Sequence, residues 1–155
     1  MSMRHWLVKS EAEVFSIDAL RDAKRTGWDG VRNYAARNFM RDHMQLNDPV
    51  LFYHSSANPT GVAGLAQICR VAYPDLTAFD AKHHHYDAKS KREAPQWYMV
   101  DLAFVEKFPR IVSLAELKQQ SKLKQMTLFK QSRLSVQPVS PSEFALIVQL
   151  GKKKN

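Results

Sequence analysis

The strongest constraint on the fold is a series of short apolar runs, each bounded by turn or polar residues, spread along the whole chain. The runs are rich in β-branched and aromatic residues, which strands favour. Segments that begin with helix-capping residues lie between them. The sequence therefore predicts an α+β fold built on about five to six mixed strands. The clearest strand signals are residues 5–10, 50–54, 62–71, 97–108 and 134–139.

Short helices are predicted between and after these strands. Ser113 and Ser140 are each followed three positions later by Glu, which is the capping-box pattern, and Pro141 takes the first helical position after Ser140. We expect these helices to lie outside a curved or barrel-like sheet, because hairpins and wide loops join the strands. The predicted helices cover residues 16–23, 34–44, a segment from 113, residues 126–130 and a last helix from 140 to 151.

The size and composition indicate one domain. A chain of 155 residues that is 45% apolar buries a core unaided, so we expect a single domain over residues 1–151 and a basic tail over 152–155. There is no apolar run of about 18 residues that would span a membrane, and the N-terminus does not resemble a secretory signal. The single cysteine, Cys69, is expected to be a buried, inert thiol. These features predict a reducing compartment: the cytoplasm of a bacterium, or the nucleus in a eukaryote.

The net charge of +8 comes entirely from the second half of the chain. Residues 1–80 hold nine Lys and Arg against nine Asp and Glu, whereas residues 81–155 hold fourteen against six. Apart from the tail, the basic residues concentrate in 82–92 and 118–133. Such a face suits nucleic acid because binding releases counterions from phosphates, although solubility alone also accounts for basic surfaces.

The segment from Trp28 to Asn38 contains side chains that suit a flat ring with a hydrogen-bonding edge. Trp28 offers a face for stacking, and Asp29 and Asn33 offer groups that read an edge, with Tyr34 beside them. Each residue also has an ordinary structural role, because a Trp usually belongs to the core and an Asn before a helix usually caps it.

Polar side chains also end three of the predicted strands. If those strands are neighbours, their ends converge with Trp28 on one preformed pocket for a small planar ligand. The residues predicted to line it are Lys9, Ser10, Trp28, Asp29, Asn33, Tyr34, Tyr53, His54, Ser55, Ser135 and Gln137.

The sequence gives little support for catalysis. It lacks a Gly-rich phosphate loop, a nucleophile elbow and a His-Glu-x-x-His helix. Lys9 and Glu11 suit acid–base chemistry if burial shifts their pKa values, but no nucleophile accompanies them, which favours binding. The run His83-His84-His85 invites a metal. Because adjacent histidines in a loop point in different directions, and no Cys or acidic residue joins them at ligand spacing, a solvated basic loop is the preferred interpretation, and no metal or cofactor is predicted.

Several segments, in order along the chain, resemble the EVE domain family. One departure is visible, since Ala12 stands where the family usually has a Pro after Lys-Ser-Glu. The resemblance covers residues 4–151, nearly the whole chain. The matching segments are 6–11 (WLVKSE), 28–34 (WDGVRNY), 36–38 (ARN), 50–55 (VLFYHS), 62–64 (VAG), 97–101 (WYMVD) and 134–139 (LSVQPV).

The resemblance implies a PUA-like β-barrel with flanking short helices, similar in layout to the YTH readers of methylated adenosine. It also implies recognition of a modified base in DNA or RNA, such as a modified cytosine, that flips out of its strand. Trp28 would be the stacking wall, and Ser10, Asp29, Asn33 and the Lys9 backbone would read the polar edge. The residues expected to hold flanking phosphates are Lys89, Lys91, Arg92 and Arg133.

Two alternatives remain open from the sequence. One is an enzyme that acts on a modified nucleoside, as related ASCH proteins do, with Lys9 and Glu11 carrying proton transfers. The other is an RNA binder of the PUA kind that is indifferent to modification.

Overall fold

A six-stranded mixed sheet forms the centre of the structure, a computed structural model that describes residues 4–153. The strand order is β2-β5-β4-β3-β1-β6. Strands β1 and β3 pair in parallel, and the other neighbours are antiparallel. The strands are β1 (His5–Glu11), β2 (Arg25–Gly27), β3 (Pro49–Ser55), β4 (Gly61–Pro74), β5 (Tyr98–Ser113) and β6 (Val136–Val139).

The prediction of a barrel is corrected by this topology. The sheet begins at β2 and ends at β6, and within residues 4–153 no ladder joins these two edges. The three residues of β2 pair only with β5, and the four residues of β6 pair only with β1. Register shifts along the β4–β5 ladder mark bulges, which bend and twist strands. The sheet is therefore irregular but open.

Within residues 4–153, five α-helices flank the sheet, and side-chain caps mark the start of four of them. Ser16, Asn33 and Ser113 each accept a hydrogen bond from a backbone N–H of the first turn, and Ser140 forms the full capping box with Glu143. No helix within the described range 4–153 has the length and apolar content to cross a membrane. The helices are α1 (Ile17–Ala23), α2 (Tyr34–Asp42), α3 (Leu114–Lys118), α4 (Thr127–Lys130) and α5 (Pro141–Lys152).

Apolar side chains cover both faces of the sheet and form two cores. Trp6 and Phe52 belong to the first core, with α1 and α2. Leu7 and Leu51 belong to the second core, with α3, α4 and α5. Successive side chains of a strand point to opposite faces, so neighbours in sequence enter different cores. Trp28 packs against the first core, which places it on the α1–α2 face.

Strand β2 and the 3-10 helices Leu76–Phe79 and Ser121–Leu123 are not predicted from the sequence. Strand β2 carries no apolar alternation and exists because its backbone pairs with β5. Cys69 is half-buried on β4, and burial raises the pKa of its thiol. Of the predicted tail, Lys152 ends α5 and Lys153 caps it, while residues 154 and 155 lie outside the described range.

Candidate functional site

A cavity of about 580 Å³ opens where three parts of the chain meet. These are the carboxyl end of β1 with the loop that follows it, the segment from Thr26 to Arg32, and the histidines at 83–85. Ser135, just before β6, completes the wall. A cleft of this size with mixed polar and apolar walls is typical of a small-molecule or base-sized ligand site.

Trp28 follows β2 directly and forms part of the wall. Its backbone N–H donates to the Val100 carbonyl (2.7 Å), which fixes the segment against β5. Phe15 and Phe52 pack near the indole with ring planes at 71° and 77° to it. Neither ring is stacked parallel on Trp28. The indole is half-buried rather than enclosed, so it is held in place by core contacts and still borders the cavity.

The end of β1 supplies polar groups to the cavity. The Ser10 hydroxyl donates to the Phe15 carbonyl, so its oxygen keeps its acceptor lone pairs. The Lys9 ammonium donates to the Ser132 carbonyl, and the Lys9 backbone N–H donates to the Ser135 carbonyl (2.9 Å). Burial lowers the pKa of Lys9. These bonds tie β1 to the segment before β6 and leave an ammonium at the wall.

An ion pair between the buried Asp75 and the half-buried Arg32 fixes the segment that follows Trp28. Asp75 is fully buried and accepts hydrogen bonds from the Gly30 N–H (2.8 Å), the Arg32 guanidinium (3.1 Å) and Thr77. Burial alone would raise the pKa of Asp75, but these hydrogen bonds and the Arg32 charge outweigh it and hold the pKa below its usual value. A buried charge is stable only when it is paired, so Asp75 must keep its contacts with Gly30 and Arg32. These contacts hold the cavity wall against the end of β4.

The three histidines reach the cavity on a structured segment. The Arg32 guanidinium donates to the His85 carbonyl (2.6 and 3.1 Å), and the Trp97 indole donates to Asp87 (2.6 Å). The segment 74–95 is thus held in place at several points. His83 and His85 are half-buried, and burial is the main cause that lowers the pKa of His85. These residues therefore lie on a more ordered segment than the solvated loop expected from the sequence, although the His84 side chain is exposed.

Gly30 is required where the wall meets His85. Its φ is +76°, a conformation that favours glycine, and a Cβ there would lie 2.3–2.7 Å from atoms of the His85 ring. We therefore expect Gly30→Ala to displace His85 and to lower the free energy of unfolding by about 1–2 kcal/mol from the backbone conformation alone. Denaturant unfolding measures the loss; an unchanged midpoint would contradict the geometry. An Ala substitution at exposed Leu46 is the control.

Five of the predicted ligand-binding residues line the cavity together: Lys9, Ser10, Trp28, Asp29 and Ser135. They come from β1, from the segment after β2 and from the segment before β6. The parallel pairing of β1 and β3 does place their carboxyl ends side by side, with Ser10 opposite His54. The predicted convergence of strand ends is therefore real for the backbone, but it does not bring every side chain to the cavity.

The residues predicted from β3 and β6 do not line the cavity. Tyr53 is buried in the second core, because side chains alternate along β3. His54 accepts a hydrogen bond from the Ile17 N–H (3.0 Å), one of the backbone donors at the start of α1. Burial lowers the pKa of His54. Gln137 is fully buried and donates to the Leu134 carbonyl. Ser55, at the end of β3, is absent from the cavity wall.

The two residues predicted from the start of α2 also lie outside the cavity. Asn33 caps α2, with its side-chain oxygen accepting from the Ala36 N–H (3.0 Å). Tyr34 is exposed and stacks on Trp97 with centroids 4.8 Å apart, beneath the Arg37 guanidinium. Asn33 is therefore a helix cap, the ordinary structural role of an Asn that precedes a helix.

The four predicted phosphate-binding residues are all exposed. Arg133 and Asn33 border a shallow depression next to the Lys9–Ser132 contact. Lys89, Lys91 and Arg92 lie on the segment that also carries the histidines, and Arg92 lies over the Phe79 ring (5.0 Å).

Several residues of the site were missed from the sequence. Phe15 and Arg32 line the cavity, and Asp75 supports it from beneath. An Arg and an Asp that are 43 positions apart give no local signal that they pair. The run of three histidines is visible in the sequence. It was not interpreted as a cluster because adjacent side chains in a loop were expected to point in different directions.

The fold and this cavity define the class of protein. The EVE domain family profile matches residues 4–150, and the chain belongs to that family. Human thymocyte nuclear protein 1 is 43% identical over 97% of this chain and 75% of its own length. A solved structure of a hypothetical protein from Leishmania major has a TM-score of 0.94 at 50% identity, covering 97% of this chain and 96% of that one.

One solved relative contains nucleic acid. The structure of human THYN1 protein in complex with DNA containing 5-methylcytosine has a TM-score of 0.92 at 43% identity, covering 98% of this chain and 99% of that chain. A distant likeness, to an ASCH protein from Zymomonas mobilis, has a TM-score of 0.54 at 13% identity over 94% of this chain and 97% of that chain and shows a shared fold only.

Proposed function

We propose that this chain is a non-enzymatic module that binds a modified base, of the 5-methylcytosine class, in nucleic acid. The observation that carries the proposal is the cavity, large enough to admit a base, with a half-buried indole in its wall and polar groups from β1 and Asp29 beside it. The relative solved with 5-methylcytosine DNA supports DNA as the polymer. The base would leave its strand and enter the cavity.

Stacking and polar contacts offset the cost of moving a base out of its strand. Extruding a base costs a few kcal/mol, and stacking on an aromatic side chain returns about 1–3 kcal/mol. The rest comes from hydrogen bonds to the base and from contacts with phosphates. Because Phe15 and Phe52 already hold the indole, little side-chain entropy is lost when a base packs against it.

The polar groups of the wall match the edge of a cytosine. The exocyclic amino group of cytosine is a donor and needs an acceptor, which the Asp29 carboxylate provides. The ring nitrogen and carbonyl of cytosine are acceptors, and the Lys9 ammonium and the Ser135 hydroxyl are donors in the same wall. Val14, Phe15 and Val31 add apolar surface, against which a 5-methyl group would pack.

A binding screen over oligonucleotides that differ at one base tests the proposal. We expect the chain to prefer one modified strand over the same strand with the plain base, in either DNA or RNA. Equal affinity across the panel, with a steep salt dependence, would instead indicate a shape-reading binder that ignores modification.

An enzymatic role has one supporting observation. Lys9 and Glu11 both line the cavity, and burial lowers the pKa of Lys9, which is the direction in which active sites shift a catalytic lysine. Such an enzyme would hydrolyse an acylated cytidine and would lose turnover on Lys9→Ala. The absence of turnover over a panel of acylated and otherwise modified nucleosides would contradict the enzymatic role and favour the binding function.

The exposed basic residues predict how affinity responds to salt. Each phosphate contact with duplex DNA contributes about 0.9 to the slope of log affinity against log salt concentration. We expect a triple variant of Lys89, Lys91 and Arg92 to Ser to lower the slope by up to about 3 and to weaken modified and plain strands alike. An unchanged slope would mean that these residues do not contact phosphates.

A further inference from the structure

The rings of His83, His84 and His85 gather on one side of the cavity. The His84 and His85 centroids are 3.9 Å apart, and the His83 and His84 rings are stacked with centroids 4.6 Å apart. One ring nitrogen from each residue lies within 4.8 Å of the other two. Tight turns produce this arrangement, because the His83 and Tyr86 N–H groups donate to the Asp80 and His83 carbonyls.

A carboxylate faces the same cluster. The Nδ1 atom of His85 is buried without a hydrogen-bond partner, and it lies 3.8 Å from an Asp29 carboxylate oxygen. That separation is too long for a hydrogen bond. Two ligand atoms that share a tetrahedral zinc ion lie about 3.4 Å apart, so an ion between these atoms needs only a small movement of either side chain.

The half-buried His85 side chain is held from two sides. Gly30 lies directly against the His85 ring, where any larger residue would collide with it. The Arg32 guanidinium grips the His85 carbonyl and is itself held by buried Asp75. These contacts limit the positions of the ring in the absence of any ion, which lowers the entropic cost of binding one.

We propose that His84, His85 and Asp29 bind a divalent transition-metal ion of the zinc class at the rim of the cavity, with His83 completing the set. Imidazole nitrogens with one carboxylate suit Zn²⁺, Cu²⁺ and Ni²⁺, whereas Mg²⁺ and Ca²⁺ require sets of oxygen atoms. To close around one ion, the histidine nitrogen atoms, which now lie up to 4.8 Å apart, must draw together by up to about 1.4 Å, which side-chain rotation supplies.

The four ligands do not contribute equally. The Nδ1 atom of His83 accepts a hydrogen bond from the His85 N–H (3.0 Å), so His83 binds through this atom only by giving up that bond. His85 and Asp29 have no such competing hydrogen bond. We therefore expect the loss of affinity to be largest for His85→Ala and smallest for His83→Ala.

The test is a calorimetric titration of the untagged, chelator-treated full chain with Zn²⁺ alone. We expect one ion per chain, affinity reduced at least about tenfold by His85→Ala and by Asp29→Asn, and no binding of Mg²⁺. The control is His43→Ala, which removes an exposed histidine at the end of α2 and should leave the titration unchanged. Cobalt(II) should show the visible absorption of a tetrahedral site.

No saturable binding, or the same loss of affinity with His43→Ala as with His85→Ala, would overturn the proposal. Circular dichroism shows whether a variant that binds zinc more weakly is still folded. The two proposed sites share Asp29, but the titration contains no nucleic acid and therefore tests the metal site separately from base binding. Zinc binding without any preference for modified DNA would therefore support the metal site and contradict the proposed function. A preference for modified DNA without zinc binding would support the proposed function and contradict the metal site.

Discussion

The Trp28→Ala variant is expected to bind an oligonucleotide containing 5-methylcytosine about 5- to 150-fold more weakly than the unaltered chain. The range corresponds to the loss of roughly 1–3 kcal/mol of stacking free energy for one base. Trp28→Phe should recover part of the affinity, because it keeps a ring against Phe15 and Phe52. Fluorescence anisotropy with a labelled duplex measures both variants.

The matched control for this loss is Tyr34→Ala. Tyr34 is more exposed than Trp28 and stands on the neighbouring segment, but it stacks on Trp97 and lies outside the cavity. We expect its removal to change affinity little. If Trp28→Ala binds as tightly as the unaltered chain while its thermal unfolding shows an intact fold, the indole is not the stacking surface.

The Asp75→Ala variant is expected to lose about 3 kcal/mol in free energy of unfolding. The substitution leaves the Arg32 guanidinium without its carboxylate, and it also removes the acceptor for the Gly30 N–H. For a domain of this size the loss corresponds to a fall in Tm of about 6–12 °C. Calorimetry measures the change, and binding should weaken as well because the cavity wall loses its anchor.

Asp75→Asn separates charge from hydrogen bonding at the same position. It keeps an acceptor for the Gly30 N–H and removes the charge, so we expect a smaller loss in free energy of unfolding than for Asp75→Ala. Because the pKa of Asp75 is lower in the folded protein than in the unfolded chain, its contribution is complete above the usual carboxyl pKa. It is lost as the pH falls through the folded value. Equal acid sensitivity of Asp75→Asn and the unaltered chain would contradict this account.

The parts of the fold that the sequence predicted are those set by local chemistry. Ser16 and Ser140 begin helices because their side chains accept backbone N–H groups within the same turn. The strand from residue 50 to 54 is visible because every position is apolar or aromatic. Strand β2 was missed because its pairing with β5, 76 positions away at Thr26 and Leu102, has no local signature.

The candidate site was predicted only in part, for a related reason. Trp28, Asp29 and the end of β1 were found because they stand at the edges of elements. Tyr53 and His54 were placed at the same edge, but alternation along β3 sends Tyr53 to the other core, and His54 bonds the start of α1. The gathering of the three histidines depends on turns and on Arg32, which no spacing rule reveals.

The direct test of the central claim is a crystal structure of this chain with a duplex that carries one 5-methylcytosine. The account predicts electron density for the methylated base outside the helix stack, packed against the Trp28 indole between Asp29 and the end of β1. A methylated base that stays stacked in the duplex, with the protein touching only the phosphate backbone, would contradict it.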